Sequence, residues 1–165
     1  MPLSVLPSVI NHARRETQNL KMKINKTIFY LLSFTWGLPL TLIGCLVAGV
    51  LMCLGYRPKK FGYSFYFEVG DNLGGVELGI FFITDTSPTH HLKCHEFGHG
   101  LQNCMYGIFM IPLVCIPSAV RYWYRETIWH TSPKKYCQLP KYDDIWFEGQ
   151  ATKWGTQMIN KIKVL

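Results

Sequence analysis

Acidic residues are scarce in this sequence: 10 Asp and Glu stand against 17 Lys and Arg among 165 residues, a net charge of +7. Whole stretches lack charge of either sign. Thirty consecutive positions, Thr27 to Tyr56, carry none, and neither does any residue from Gly100 to Val120. None of the six cysteines (45, 53, 94, 104, 115 and 137) belongs to a C-x-x-C pair, so they supply no disulfide framework and read as buried or lipid-facing thiols. No internal repeat or low-complexity tract interrupts the chain, whose length suits one domain with or without a membrane anchor.

A basic surplus raises nucleic acid as a partner, but no basic helix or aromatic and basic binding surface of recognisable type goes with it. The cations flank apolar sequence instead: Arg14, Arg15, Lys21, Lys23 and Lys26 precede the first uncharged stretch, and Arg57, Lys59 and Lys60 follow it. A lipid bilayer explains them more simply, and nucleic acid is set aside. About twenty helical residues cross a hydrocarbon core. Residues 28–56 are therefore predicted as a transmembrane anchor, with a helix over 28–54 that Gly37 and Pro39 bend or shift. Residues 1–27 form a basic lead, with Met22 as an alternative start, and 57–165 form the domain.

The expected fold class of that domain is α+β. Residues 63–69 alternate like a half-buried strand, Gly70 to Gly75 offers turn chemistry, and Val76 to Thr84 continues extended, which predicts a β-hairpin. Ser87 and Pro88 then suit the N-cap and first position of a helix. That helix carries His95-Glu96-Phe97-Gly98-His99, an H-E-x-x-H run. On a helix it sets two imidazoles one turn apart, aimed at one point, with a carboxylate beside them. Such a group holds Zn²⁺ and activates a water on it, leaving Glu96 as the candidate general base.

Glu148 is the candidate third ligand. It is followed by Ala151 and Gly155, small residues that let a second helix pack closely against the first. If the uncharged run after Gly100 crossed the bilayer, Glu148 would lie about 30 Å from the histidines. Residues 101–120, interrupted by Pro112 and Pro117, are therefore expected as a broken re-entrant or interfacial helix pair. Residues 121–146 resemble an interfacial aromatic belt, 131–142 a loop, and a final helix runs from about Asp143 to Lys161. Asp143 and Asp144 are alternatives for the carboxylate ligand. His91 precedes His95 by one turn and suits a helix-surface or orienting role, Gln102 can orient a ligand, and His130 and Tyr142 are unplaced candidates for stabilising an oxyanion. Residues 76–83 either bind a substrate backbone along a strand edge or simply cover the helix.

Gly74-Gly75-Val76 with Leu78-Gly79, the string His95 to Gln102, Gly107, Pro117-Ser118 and the 148/151/155 spacing resemble a family of small bacterial membrane proteins classed as zinc metallopeptidases of zincin-like type. The resemblance covers about half the chain. It implies that His95, His99 and Glu148 bind zinc, that Glu96 is catalytic, that the partners are a peptide or protein substrate and the bilayer, and that the protein sits in a bacterial inner membrane. Asn103, where similar chains often carry serine, and Gly149-Gln150, where aromatics are common, depart from the pattern. More distantly the chain is similar to intramembrane proteases of the site-two type. The expected function is hydrolysis of peptide bonds by a membrane-anchored zinc metallopeptidase. The alternative is a non-catalytic zinc-containing membrane protein that binds a partner through its hairpin or groove.

Overall fold

The computed structural model describes residues 24–71 and 74–164. The basic lead expected over 1–27 lies outside these except for 24–27. The fold is α+β, with six helices and a four-stranded sheet among the described residues.

The first apolar stretch does not build one helix. It folds as α1 (Lys26–Phe34) and α2 (Leu38–Cys53), bent by 93° at the join, which corrects the transmembrane helix expected over 28–54. Pro39 in the first turn of α2 lacks the N–H needed to carry a helix through this point. Gly37 just before it lies against Asn103, whose amide would overlap any added Cβ and donates to the Gly37 carbonyl at 3.3 Å. No helix among the described residues is long and apolar enough to cross a membrane alone.

The sheet holds β1 (Lys59–Phe61), β2 (Ser64–Glu68), β3 (Gly75–Leu78) and β4 (Phe81–Thr84) in the order β1-β2-β4-β3. The hairpin expected between 63–69 and 76–84 is corrected. The second stretch is itself two strands, turning at Gly79 with φ of 80°, a conformation that suits glycine. Gly79 also sits flush on Thr41 of α2. The two hairpins, β1–β2 and β3–β4, join through parallel pairing of β2 with β4, so β3 is left at the edge.

Helix α3 (His90–Tyr106) carries the motif. It starts two residues later than Ser87 and Pro88 suggest, because Ser87 takes φ of 60° whereas Thr89 is extended and accepts the Leu92 N–H at 3.1 Å. Every residue of α3 from Cys94 to Cys104 is buried. The helix ends at Gly107, and after two short turns the chain enters α4 (Ile116–Thr131) at 117° to α3. The run over 101–120 is thus broken, at Gly107 and not at its prolines.

The segment expected as loop contains the short helix α5 (Pro133–Tyr136), and the last helix, α6 (Trp146–Val164), begins after a 3₁₀ turn at Tyr142–Asp144. One face of α3 meets the sheet, where Phe97 touches Phe61 and Tyr63. The other meets α6 at backbone distance. A Cβ on Gly98 would overlap the Ala151 carbonyl, and one on Gly155 would overlap the Cys94 carbonyl. Phe29, Leu101, Trp154 and Met158 complete the core around this contact.

Candidate metal centre

Close approach of α3 and α6 brings three donors to one point. His95 and His99 face the same way from consecutive turns, and Glu148 reaches them from the first turn of α6. His95 Nε2 lies 3.1 Å from His99 Nε2, and Glu148 Oε2 lies 3.1 and 3.2 Å from the two rings. All three residues are buried, and together they can hold a metal ion. Asp143 and Asp144 are not part of the group. Asp144 accepts the Lys141 N–H, and Asp143 acts through a relay.

That relay decides which ring nitrogens are free. Thr152 donates its only hydroxyl proton to Asp143 at 3.0 Å, so it must accept from His95 Nδ1 at 2.7 Å. On the other ring, the Gln102 amide donates to the Phe147 carbonyl and to Gln150, which turns its oxygen toward His99 Nδ1 at 2.8 Å. Tyr106 donates to the same Gln150 oxygen and fixes it. Both Nδ1 atoms therefore carry protons, and both Nε2 lone pairs point at Glu148. Three acceptors facing one another repel unless a cation lies among them. Glu148 also keeps its second oxygen buried without a hydrogen-bond partner among the described residues. The donor set and its outer partners thus fit a metal.

Without a metal the conflict is relieved by a proton. Burial disfavours a charged His99, but the hydrogen bond to Glu148 and the charges of Glu96 and Glu148 outweigh it and raise its pKa to about 9. Burial likewise pushes Glu148 up, yet its bonds with His95 and His99 hold it well below the usual carboxylate range. Glu148→Gln is expected to weaken divalent-metal affinity by at least about 100-fold, because losing a ligand costs no less than losing a ligand's hydrogen-bond partner. Zinc titration followed by calorimetry measures it, and affinity within threefold of wild type would remove Glu148 from the ligand set.

His95 and His99 open onto a cleft of about 560 Å³ between edge strand β3, α3 and the turn leading into α4, with Glu148 buried behind them. Glu96 lies in this cleft, buried, and crosses β3 at Gly75, where an added Cβ would overlap its carboxylate. Burial raises its pKa; His99 and His95 oppose this, and Glu148 adds to it. Tyr142 forms part of the wall, its ring 6.2 Å from that of His95 and its hydroxyl 3.3 Å from Ser118. His130 is far from this arrangement in role: it pairs with Glu126 on exposed α4. His91 stands at the rim, 3.7 Å from Asp143. Thr152 escaped the sequence reading, and Ser118 and Gln150 entered it without a role at the site. Thr152 had one signal, a hydroxyl one helical turn after Glu148. A further carboxyl in the cleft, Glu77, had none.

No family model, curated protein or solved structure matches this chain.

Proposed function

We propose that this chain is a membrane-associated zinc peptidase acting on peptides laid along β3. The observation that carries the reading is that the two imidazoles of the three-donor group, the Glu96 carboxylate and a sheet edge line one cleft, with Glu148 buried directly behind the rings. Catalytic zinc sites keep three protein ligands and an open position, whereas structural sites are closed by four. Three protein donors, two of them facing a cleft, therefore favour catalysis over the partner-binding alternative. Imidazole and carboxylate donors without thiolate suit zinc in such a role.

When bound, zinc supplies the Lewis acidity that lowers the pKa of a water to about 7. The remaining work falls to the chain. Glu96, with its pKa raised by burial, takes the water's proton and returns it to the leaving amine. The outer edge of β3 has no strand partner among the described residues, so its N–H and C=O groups can pair with an extended peptide. Pairing there brings the scissile bond over Gly75, where the missing side chain leaves room for Glu96. Burial, with added repulsion from Glu148, pushes the Tyr142 hydroxyl up to about 12, which keeps it a donor toward a developing oxyanion at neutral pH.

Membrane association is the second part of the proposal. The two bent helix pairs meet at their elbows: the Trp36 ring fills the space over Gly107 and packs edge-on with Phe109 at 6.1 Å. Leu31, Phe34, Ile108, Phe109 and Leu113 are exposed around this contact. An apolar surface of this kind fits an acyl layer entered from one side without crossing. Replacing Phe109 and Leu113 with glutamate is expected to reduce vesicle flotation about tenfold or more, since a charge at depth costs roughly 2.5 kcal/mol. Unchanged flotation would place the membrane contact elsewhere.

Purified full-length protein should contain one zinc per chain and cleave quenched-fluorescence peptides. A chelator should abolish cleavage and zinc should restore it. Stoichiometric zinc with no cleavage of a broad peptide set would favour the partner-binding alternative.

A further inference from the structure

One carboxyl in the cleft has no part in the chemistry described so far. Glu77 lies on edge strand β3, is 8 % exposed, and neither of its carboxyl oxygens has a side-chain hydrogen-bond partner among the described residues. The Gly79 amide is the least of the influences on it, and among the described residues no Lys or Arg pairs with it. A buried acid without a partner is costly, and native proteins retain one where a ligand completes it. Its position in the strand is informative. Glu77 follows Gly75 by two residues, so both face the same side of the sheet, the side on which Glu96 crosses. Same-face positions on a strand repeat at about 7 Å, and a peptide paired with β3 repeats its own side chains at the same spacing. Apolar Met110 and Val114 line the same cleft; its other carboxyls are Glu96, which crosses at Gly75, and Asp143, which accepts from Thr152.

We infer that Glu77 is a specificity-determining residue that receives a cationic group of the peptide substrate, an ammonium or guanidinium carried one strand repeat from the bond cut at Glu96. The inference rests on the peptidase reading above and deepens it by naming the substrate class. The cation can come from the substrate's free N-terminus or from a Lys or Arg side chain, because both present N–H donors with positive charge to a carboxylate. Burial raises the Glu77 pKa well above its usual value, opposed by His99 and increased by Glu96. An arriving cation supplies the counter-charge that favours the ionised carboxylate.

The test uses zinc-loaded full-length protein and hexapeptides of one sequence, each made with a free or acetylated N-terminus and with or without a lysine scanned through the chain. The expected result is a preference of at least 30-fold in kcat/KM for a cationic member over the acetylated, uncharged one. Survival of the preference in acetylated lysine peptides identifies the side chain as its source; its restriction to free N-termini identifies the α-amine. In Glu77→Gln, and in Glu77→Met as a second variant of similar shape, the ratio should fall to within threefold of one while zinc content stays at one per chain and the melting temperature does not drop.

Equal cleavage of charged and uncharged peptides by wild type, or a preference that survives both variants, overturns the inference and leaves the peptidase reading standing. Loss of zinc in Glu77→Gln also overturns it, by making the residue a ligand. If wild type cleaves nothing, the peptidase reading falls by itself. The same peptides are then titrated by calorimetry, and absence of a tenfold tighter cationic binding that depends on Glu77 rejects the role.

Discussion

Glu96→Gln is expected to keep its zinc and to lose proteolysis by a factor of about 10² to 10⁴, the range spanned by general acid and base catalysis. The amide has the shape of the acid, so it can lie across Gly75 as the carboxylate does. It cannot take up a proton and return it. Glu96 is not one of the three converging donors, which is why metal content should be untouched. Zinc per chain and the initial rate on one peptide, measured on the same preparation, separate the two effects. Proteolysis at the wild-type rate in this variant would end the peptidase assignment, whereas loss of both zinc and rate would mean that Glu96 helps hold the metal.

A single added methyl group is expected to act with opposite sign at two helical glycines. Gly49 on α2 has open space where its Cβ would be, so Gly49→Ala should stabilise by about 1 kcal/mol through helix propensity. Gly98→Ala gains the same propensity but drives its methyl into the Ala151 carbonyl, which is backbone and cannot swing aside. Overpacking of this kind costs about 1–3 kcal/mol, and a backbone obstacle sets it at the upper end. The net loss is about 2 kcal/mol, or roughly 4–8 °C in melting temperature for a chain of this size. Because α6 carries Glu148, the same displacement should pull the carboxylate from the imidazoles and weaken zinc binding in parallel. A Gly98→Ala protein as stable as wild type would mean that the two helices do not pack at backbone distance.

Those two predictions depend on features of very different legibility. The His95–His99 spacing is a local fact, since the period of one helix turns both rings to one side whatever surrounds it. Glu148 was readable for a related reason: Ala151 and Gly155 mark the same face of α6, and only small residues allow a second backbone so near. Gln102 also lies within reach of His99 on the same helix. In each case neighbours along the chain carry the information.

Long-range choices escaped it. Gly37 and Pro39 marked a bend within 28–54, but that the chain folds back by 93° there involves Asn103 meeting Gly37, 66 positions away in sequence. Likewise β3 went to the sheet edge because Gly79 turns against Thr41 and β1 offers β2 another partner, so an alternating pattern gave the strands without their pairing. Thr152 and Asp143 orient His95 only once α6 is docked, and Glu77 enters the cleft only as an edge residue. Periodicity and spacing act through the covalent chain over a few residues, and they were enough to specify the α+β elements and the chemistry of the donors. Which elements meet is settled by packing between distant segments, where one missing Cβ or one amide tips the balance, and no local pattern records that.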